Sequence, residues 1–155
     1  MENLENLFLM EYSSTGSGSL TKQSYDEINK IINKINSSYK LKKGLYVLIP
    51  NDKAPNQIAD LLNEKIKKVM ISKDNRLWPD NDIISYHNVI IIHKKIERYD
   101  NVLITAYSRV LGKVRSYFLR EVCHIKNTNV YELDQKAKTK CININLKEKN
   151  YYLVD

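Results

Sequence analysis

The sequence is poor in the patterns that usually announce a chemistry. Its 155 residues include two cysteines, Cys123 and Cys141, whose spacing belongs to no disulfide framework, so reduced and buried thiols are expected. No stretch approaches the ~20 apolar residues of a membrane helix. The first residues carry Glu2 and Glu5 where a secretory leader would be positive. A cytoplasmic protein is the expectation, long enough to fold as one domain without a metal or disulfide staple.

Motifs of cofactor and metal chemistry are missing too. Gly16-Ser17-Gly18 lacks the third glycine of a dinucleotide-binding turn, and no Gly-Lys-Ser or Gly-Lys-Thr ends a phosphate loop. No Gly-x-Ser-x-Gly turn exposes a nucleophile. His87, His93, His124, Cys123 and Cys141 include no pair at the close spacing of a zinc finger or a helix-borne histidine pair, so neither metal nor cofactor is expected. Pro79-Asp80 resembles the opening of the restriction-nuclease motif. The acid-x-lysine that must follow is absent, since Glu97 leads only to Arg98-Tyr99, and Asp74, Asp80 and Asp82 read as turn carboxylates.

What the chain does have is concentrated positive charge. Lys94, Lys95, Arg98, Arg109, Lys113, Arg115 and Arg120 face only Glu97 and Asp100 in the same window, a net +5 of the chain's +7, and four of the five arginines lie there. A guanidinium presents a planar fork that matches phosphate or carboxylate in two-point contact.

Periodicity supplies the elements. Tyr25, Ile28, Ile31, Ile32 and Ile35 recur at helical spacing, with Thr21 or Ser24 as N-cap. Leu45 to Ile49 reads as a short buried strand before Pro50, and Ile58, Leu61, Leu62, Ile66 and Met70 form a second helical stripe. Residues 83–86, 89–96, 129–133, 141–146 and 151–154 have strand composition, and 136–140 reads as a loop. The segment 102–122 fits two patterns. One is a helix with Arg109, Lys113, Ser116 and Arg120 on a polar stripe. The other is a hairpin turning at Val110-Leu111-Gly112 that pairs Arg109 with Lys113 and Tyr107 with Arg115. Gly112 and the density of β-branched residues favour the hairpin.

These readings combine into an α+β domain over 20–155, two amphipathic helices packed on an antiparallel β-meander, preceded by an arm and Ser/Gly-rich linker over 1–19. Basic side chains alternating with tyrosines predict nucleic-acid binding, RNA or single strands above all, through Lys94, Lys95, Arg98, Tyr107, Arg109, Lys113, Arg115, Tyr117 and Arg120. His93 is the candidate base for metal-independent RNA cleavage. The alternative is a small inhibitor or adaptor that uses the same cationic face on an acidic or nucleic-acid-binding protein.

Overall fold

A computed structural model of the chain describes residues 2–78, 83–125 and 140–154. The elements alternate: β1 (Asn6–Met10), α1 (Lys22–Ser38), β2 (Leu45–Ile49), α2 (Lys53–Lys65), β3 (Val69–Lys73), α3 (Tyr86–Ile96), β4 (Asn101–Thr105), α4 (Ser108–Tyr117), β5 (Cys141–Asn145) and β6 (Asn150–Leu153). One six-stranded sheet runs in the order β3-β2-β4-β1-β5-β6. β1 to β4 are mutually parallel, while β5 and β6 are antiparallel. This is an α/β fold and not the antiparallel meander that strand composition predicts. The segment read as an arm supplies β1, in the interior of the sheet.

The sheet is covered on both faces, which is why its inner strands are apolar without polar alternation. Leu7 and Leu9 of β1 join Tyr46 and Leu48 of β2 and Val102 and Ile104 of β4 in one core layer, which α3 and α4 cover. Phe8 and Met10 join Val47, Ile49 and Leu103 in the other, under α1 and α2. Polar side chains that enter the sheet are tied together. The Asn143 amide donates to Asn6 Oδ1 (3.3 Å), Asn6 Nδ2 to Asn101 Oδ1 (2.9 Å), and Asn101 Nδ2 to the Gly44 carbonyl (3.3 Å). This ladder links β5, β1 and β4 to the residue before β2, and such buried side-chain pairing favours one register over its neighbours.

Helix α1 forms where its spacing predicts, with the Thr21 side chain accepting from the Ser24 N–H. The second stripe is divided: α2 stops at Lys65, and Met70 falls in β3. Residues 83–86 and 89–96, read as strands, contain α3 instead. Ser85 caps it by accepting from the Asn88 N–H, and Val89, Ile92 and Ile96 recur on its buried face. There tertiary burial of one stripe overrides the β propensity of Ile90, Ile91 and Ile92. The segment 102–122 is neither a hairpin nor one helix. It holds β4, then α4, then a π-helical turn over Phe118–Val122. Strands β2, β5 and β6 form where composition places them, give or take an end residue. The predicted strand 129–133 and residues 136–139 of the predicted loop lie outside the described residues. Among the described residues, no helix is long and apolar enough to cross a membrane.

Two glycines have opposite roles. Gly44 has φ +87°, and a Cβ there would lie 2.8 Å from the Lys68 carbonyl oxygen, whereas a Cβ at Gly112 on α4 would meet nothing within 4 Å. Gly44→Ala should therefore destabilise the fold by more than about 1 kcal/mol. Gly112→Ala should stabilise it by roughly 0.5–1 kcal/mol. Urea midpoints of the two variants check both signs.

Candidate functional site

In an open parallel sheet, ligands bind beyond the carboxyl ends of the strands where the chain's connections diverge. Here β1 and β4 are neighbours, yet β1 leads to α1 on one face and β4 to α4 on the other. The crevice between them is the candidate site. Its lower edge is fixed by the buried Thr105 hydroxyl, which donates to the Met10 carbonyl at 2.8 Å.

Tyrosines stand at both strand ends. Tyr12 and Tyr107 each lie two residues past their strand, with ring centroids 5.2 Å apart, and Trp78 stacks on Tyr107 at 5.0 Å. Tyr12 is 6% exposed, and among the described residues its hydroxyl makes no well-formed hydrogen bond, only a weaker contact with the Tyr107 hydroxyl. Burial first, then the Tyr107 hydroxyl and the Asp52 carboxylate, push its pKa far above the ordinary tyrosine value. The phenol is therefore a fixed neutral donor and a poor nucleophile.

Two helices begin at this edge with open ends. Asp52 caps α2 and Tyr107 caps α4, and neither side chain hydrogen-bonds to its helix. Their first-turn N–H groups and dipoles favour negative charge, and Lys53 and Arg109 sit on those turns. Against this, the Asp52 carboxylate lies at the same edge, whereas Glu11 sits beside Arg115 and Lys140. The Ser/Gly segment packs nearby as a closed hairpin, with Ser14 bridging Leu20, the Leu20 N–H donating to Gln57 Oε1 (2.7 Å), and Gly18 against Lys53. Asp74, just past β3, is committed elsewhere. Burial alone would raise its pKa, but the Arg76 backbone N–H and the charges of Lys95 and Arg76 hold it below the usual range.

The residues of the basic window are dispersed. Of these, Tyr107 lies at the crevice, and Arg109 is exposed on the first turn of α4. His93 lies on α3 with Nε2 2.9 Å from Glu2 Oε2 and Nδ1 2.8 Å from the Tyr117 hydroxyl, at the end of the sheet where β1 begins. Lys94 is exposed, Lys95 pairs with Asp74 at 3.3 Å, and Arg98 lies over the Tyr99 ring. Arg115 is buried beside Leu9, Glu11 and Leu111. Lys113, Tyr117 and Arg120 do come together, with Tyr86 and Ser116, around a cleft of about 240 Å³ between α3 and α4. Of the turn carboxylates, Asp80 and Asp82 lie outside the described residues. Tyr12, Asp52 and Trp78 were not legible as site residues. The signal that could have found Tyr12 is the apolar run Leu7 to Met10 followed by a small-residue loop and a helix, the pattern of a strand feeding a ligand-binding turn.

No protein-family model matches the chain, and neither does any curated protein sequence. The fold is nonetheless shared with solved structures. A protein of Agrobacterium tumefaciens assigned as the phosphohistidine phosphatase SixA superposes with a TM-score of 0.66 at 8% identity, over 98% of this chain and 96% of that one. A phosphoglycerate mutase from Plasmodium falciparum gives 0.61 at 11% identity, over 97% and 88%. The protein histidine phosphatase SixA complexed with tungstate gives 0.58 at 13% identity, over 96% and 93%. The fold is thus that of the histidine phosphatases, a mostly parallel sheet between pairs of helices. This likeness, with the scattering of the basic residues over two helices and the core, overturns the nucleic-acid-binding reading, its RNA-cleaving extension based on His93, and the cationic inhibitor or adaptor.

The Tyr12 hydroxyl carries a stability signature. A buried donor without a well-formed hydrogen bond costs about 1–3 kcal/mol, so Tyr12→Phe should stabilise the protein by about 1 kcal/mol. Because the folded-state pKa lies above the ordinary 10.0, the folded protein holds this proton more tightly than the unfolded chain. The group's contribution is complete below pH 10 and declines as pH rises beyond it. Denaturation midpoints at pH 7 and above pH 10 should show the variant more stable, with a shallower alkaline loss than wild type.

Proposed function

We propose that this chain uses the histidine phosphatase fold to recognise a phosphorylated ligand without hydrolysing it. The observation that carries the reading is the pairing of two open helix N-termini, α2 and α4, with a buried and firmly protonated Tyr12 hydroxyl beside Tyr107 at the crevice between β1 and β4. Such a constellation donates hydrogen bonds to an oxyanion. Hydrolysis needs more, namely a nucleophile or a base that activates water. Tyr12 cannot shed its proton near neutral pH. The histidines are not among the groups in contact with it: His93 is engaged by Glu2 and Tyr117, and His87 and His124 are in the first turn of α3 and beyond the π-helical turn. Asp52 further opposes the build-up of negative charge that a phosphoryl transition state brings, and it favours weak, reversible binding over turnover.

The names of the fold's solved members support the ligand class, since they include phosphatases, a mutase acting on a phosphorylated acid, and a complex with tungstate, a tetrahedral oxyanion like phosphate. Cys123 and Cys141 are buried thiols that form no disulfide, which supports an intracellular, reducing setting for this activity.

Trp78 is the chain's one tryptophan and stacks on Tyr107, so its emission reports on the crevice. Titration with tungstate should change that emission saturably, and Tyr12→Phe should weaken the response roughly tenfold, the loss of one hydrogen bond to a charged group. p-Nitrophenyl phosphate should be hydrolysed no faster than in buffer between pH 5 and 9. Turnover that Tyr12→Phe or Tyr107→Phe abolishes would overturn the absence of catalysis. Emission indifferent to tungstate and to phosphate monoesters would overturn recognition.

A further inference from the structure

We infer that Glu2, His93 and Glu97 form a binding site for one divalent transition metal of the zinc class, independent of the crevice and of the function proposed for it. The ligand atoms of the three residues lie within 4.8 Å of one another. One imidazole nitrogen with two carboxylates is a donor set suited to zinc, leaving a position for water.

The cluster is built from well-fixed parts. His93 and Glu97 are one helical turn apart at the end of α3, on the same side of the helix. Glu2 arrives from a different part of the sequence and is held there by the backbone, since the N–H groups of Asn3 and Leu4 both donate to the Glu97 carbonyl, at 2.7 and 3.2 Å. The imidazole is fixed on its far side. Its ring packs edge-to-face on Phe118 and Tyr117, at 4.9 and 5.5 Å between centroids, and Nδ1 meets the Tyr117 hydroxyl at 2.8 Å. A proton on Nδ1 shared with that hydroxyl leaves the Nε2 lone pair directed at the carboxylates, the arrangement by which neighbouring groups orient metal-bound histidines. An ordinary ion pair accounts for Nε2 against Glu2, but it has no use for Glu97 in the same 4.8 Å group.

The surroundings favour a cation. The carboxylates of Glu2 and Glu97 converge on this point of a chain whose net charge is +7. Linear spacing could not reveal the site, because one ligand precedes β1 and the other two share a turn of a helix that reads as a strand. Zinc held here would fasten the segment ahead of β1 to the end of α3.

The test is calorimetric titration of the tag-free, full-length chain with Zn²⁺ after chelator treatment, together with Co²⁺ absorption as a measure of coordination. One metal per chain is expected. His93→Ala should abolish binding, Glu97→Gln should weaken it at least tenfold, and Tyr117→Phe, which removes only the orienting contact, should weaken it by roughly ten- to a hundredfold. His87→Ala should leave it unchanged. Glu2→Gln alters an exposed side chain and so tests the site without endangering the fold, and it too should weaken binding. Unaltered zinc affinity in Glu2→Gln and Glu97→Gln, or binding that disappears with His87→Ala, would overturn the site.

Discussion

The structure depends on one pairing, that of β1 with β4. These strands lie side by side in parallel register, from Asn6 against Asn101 to Met10 against Thr105, yet the chain leaves them towards opposite faces of the sheet. The pairing buries both faces of β1, divides the apolar residues into two layers, and opens a crevice at the carboxyl ends without any further device. Parallel strands need long crossovers, so the pairing also fixes the alternation of strand and helix through the first two thirds of the chain. The asparagine ladder at the opposite end supplies the register on which the crevice geometry rests.

At that crevice, what matters is the balance between donors and charges. Helix N-termini and a neutral phenol favour negative charge there, while the Asp52 carboxylate limits it. The same carboxylate that opposes a dianion also helps keep Tyr12 protonated, so the feature that weakens binding secures the donor. Trp78, 40% exposed and stacked on Tyr107, completes an aromatic wall over the opening.

Local order was legible where burial and periodicity agree. Helix α1 buries Ile28, Ile31, Ile32 and Ile35 of its predicted stripe, although Tyr25 is 45% exposed and Ser24 takes the buried place before them, and β2 is an uninterrupted apolar run. It was illegible where two effects conflict. Ile90, Ile91 and Ile92 have strand propensity, but a capped helix buries only Val89, Ile92 and Ile96 of that segment. Met70 continues the helical stripe of α2 across a break that only the pairing of β3 with β2 reveals. Parallel topology leaves no local mark at all, because β1 meets β4 more than ninety residues later. The charge count misled for a related reason: it cannot distinguish Lys113, which is exposed, from Arg115 two residues on, which is buried.

The two ends of β1 therefore carry different chemistries for a simple geometric reason. Five residues of strand span roughly 17 Å. That length keeps Glu2 and the imidazole of His93 at one edge of the sheet and Tyr12 at the other, with Leu7, Phe8 and Leu9 sealed between them in the two core layers. Through such an apolar span neither end supplies protons or ligands to the other. The amino end gathers an imidazole and carboxylates around Tyr117, whereas the carboxyl end gathers phenols and helix N-termini. β1 positions the groups at its ends through backbone pairing with β4, and that pairing does not depend on which side chain stands two places past the strand.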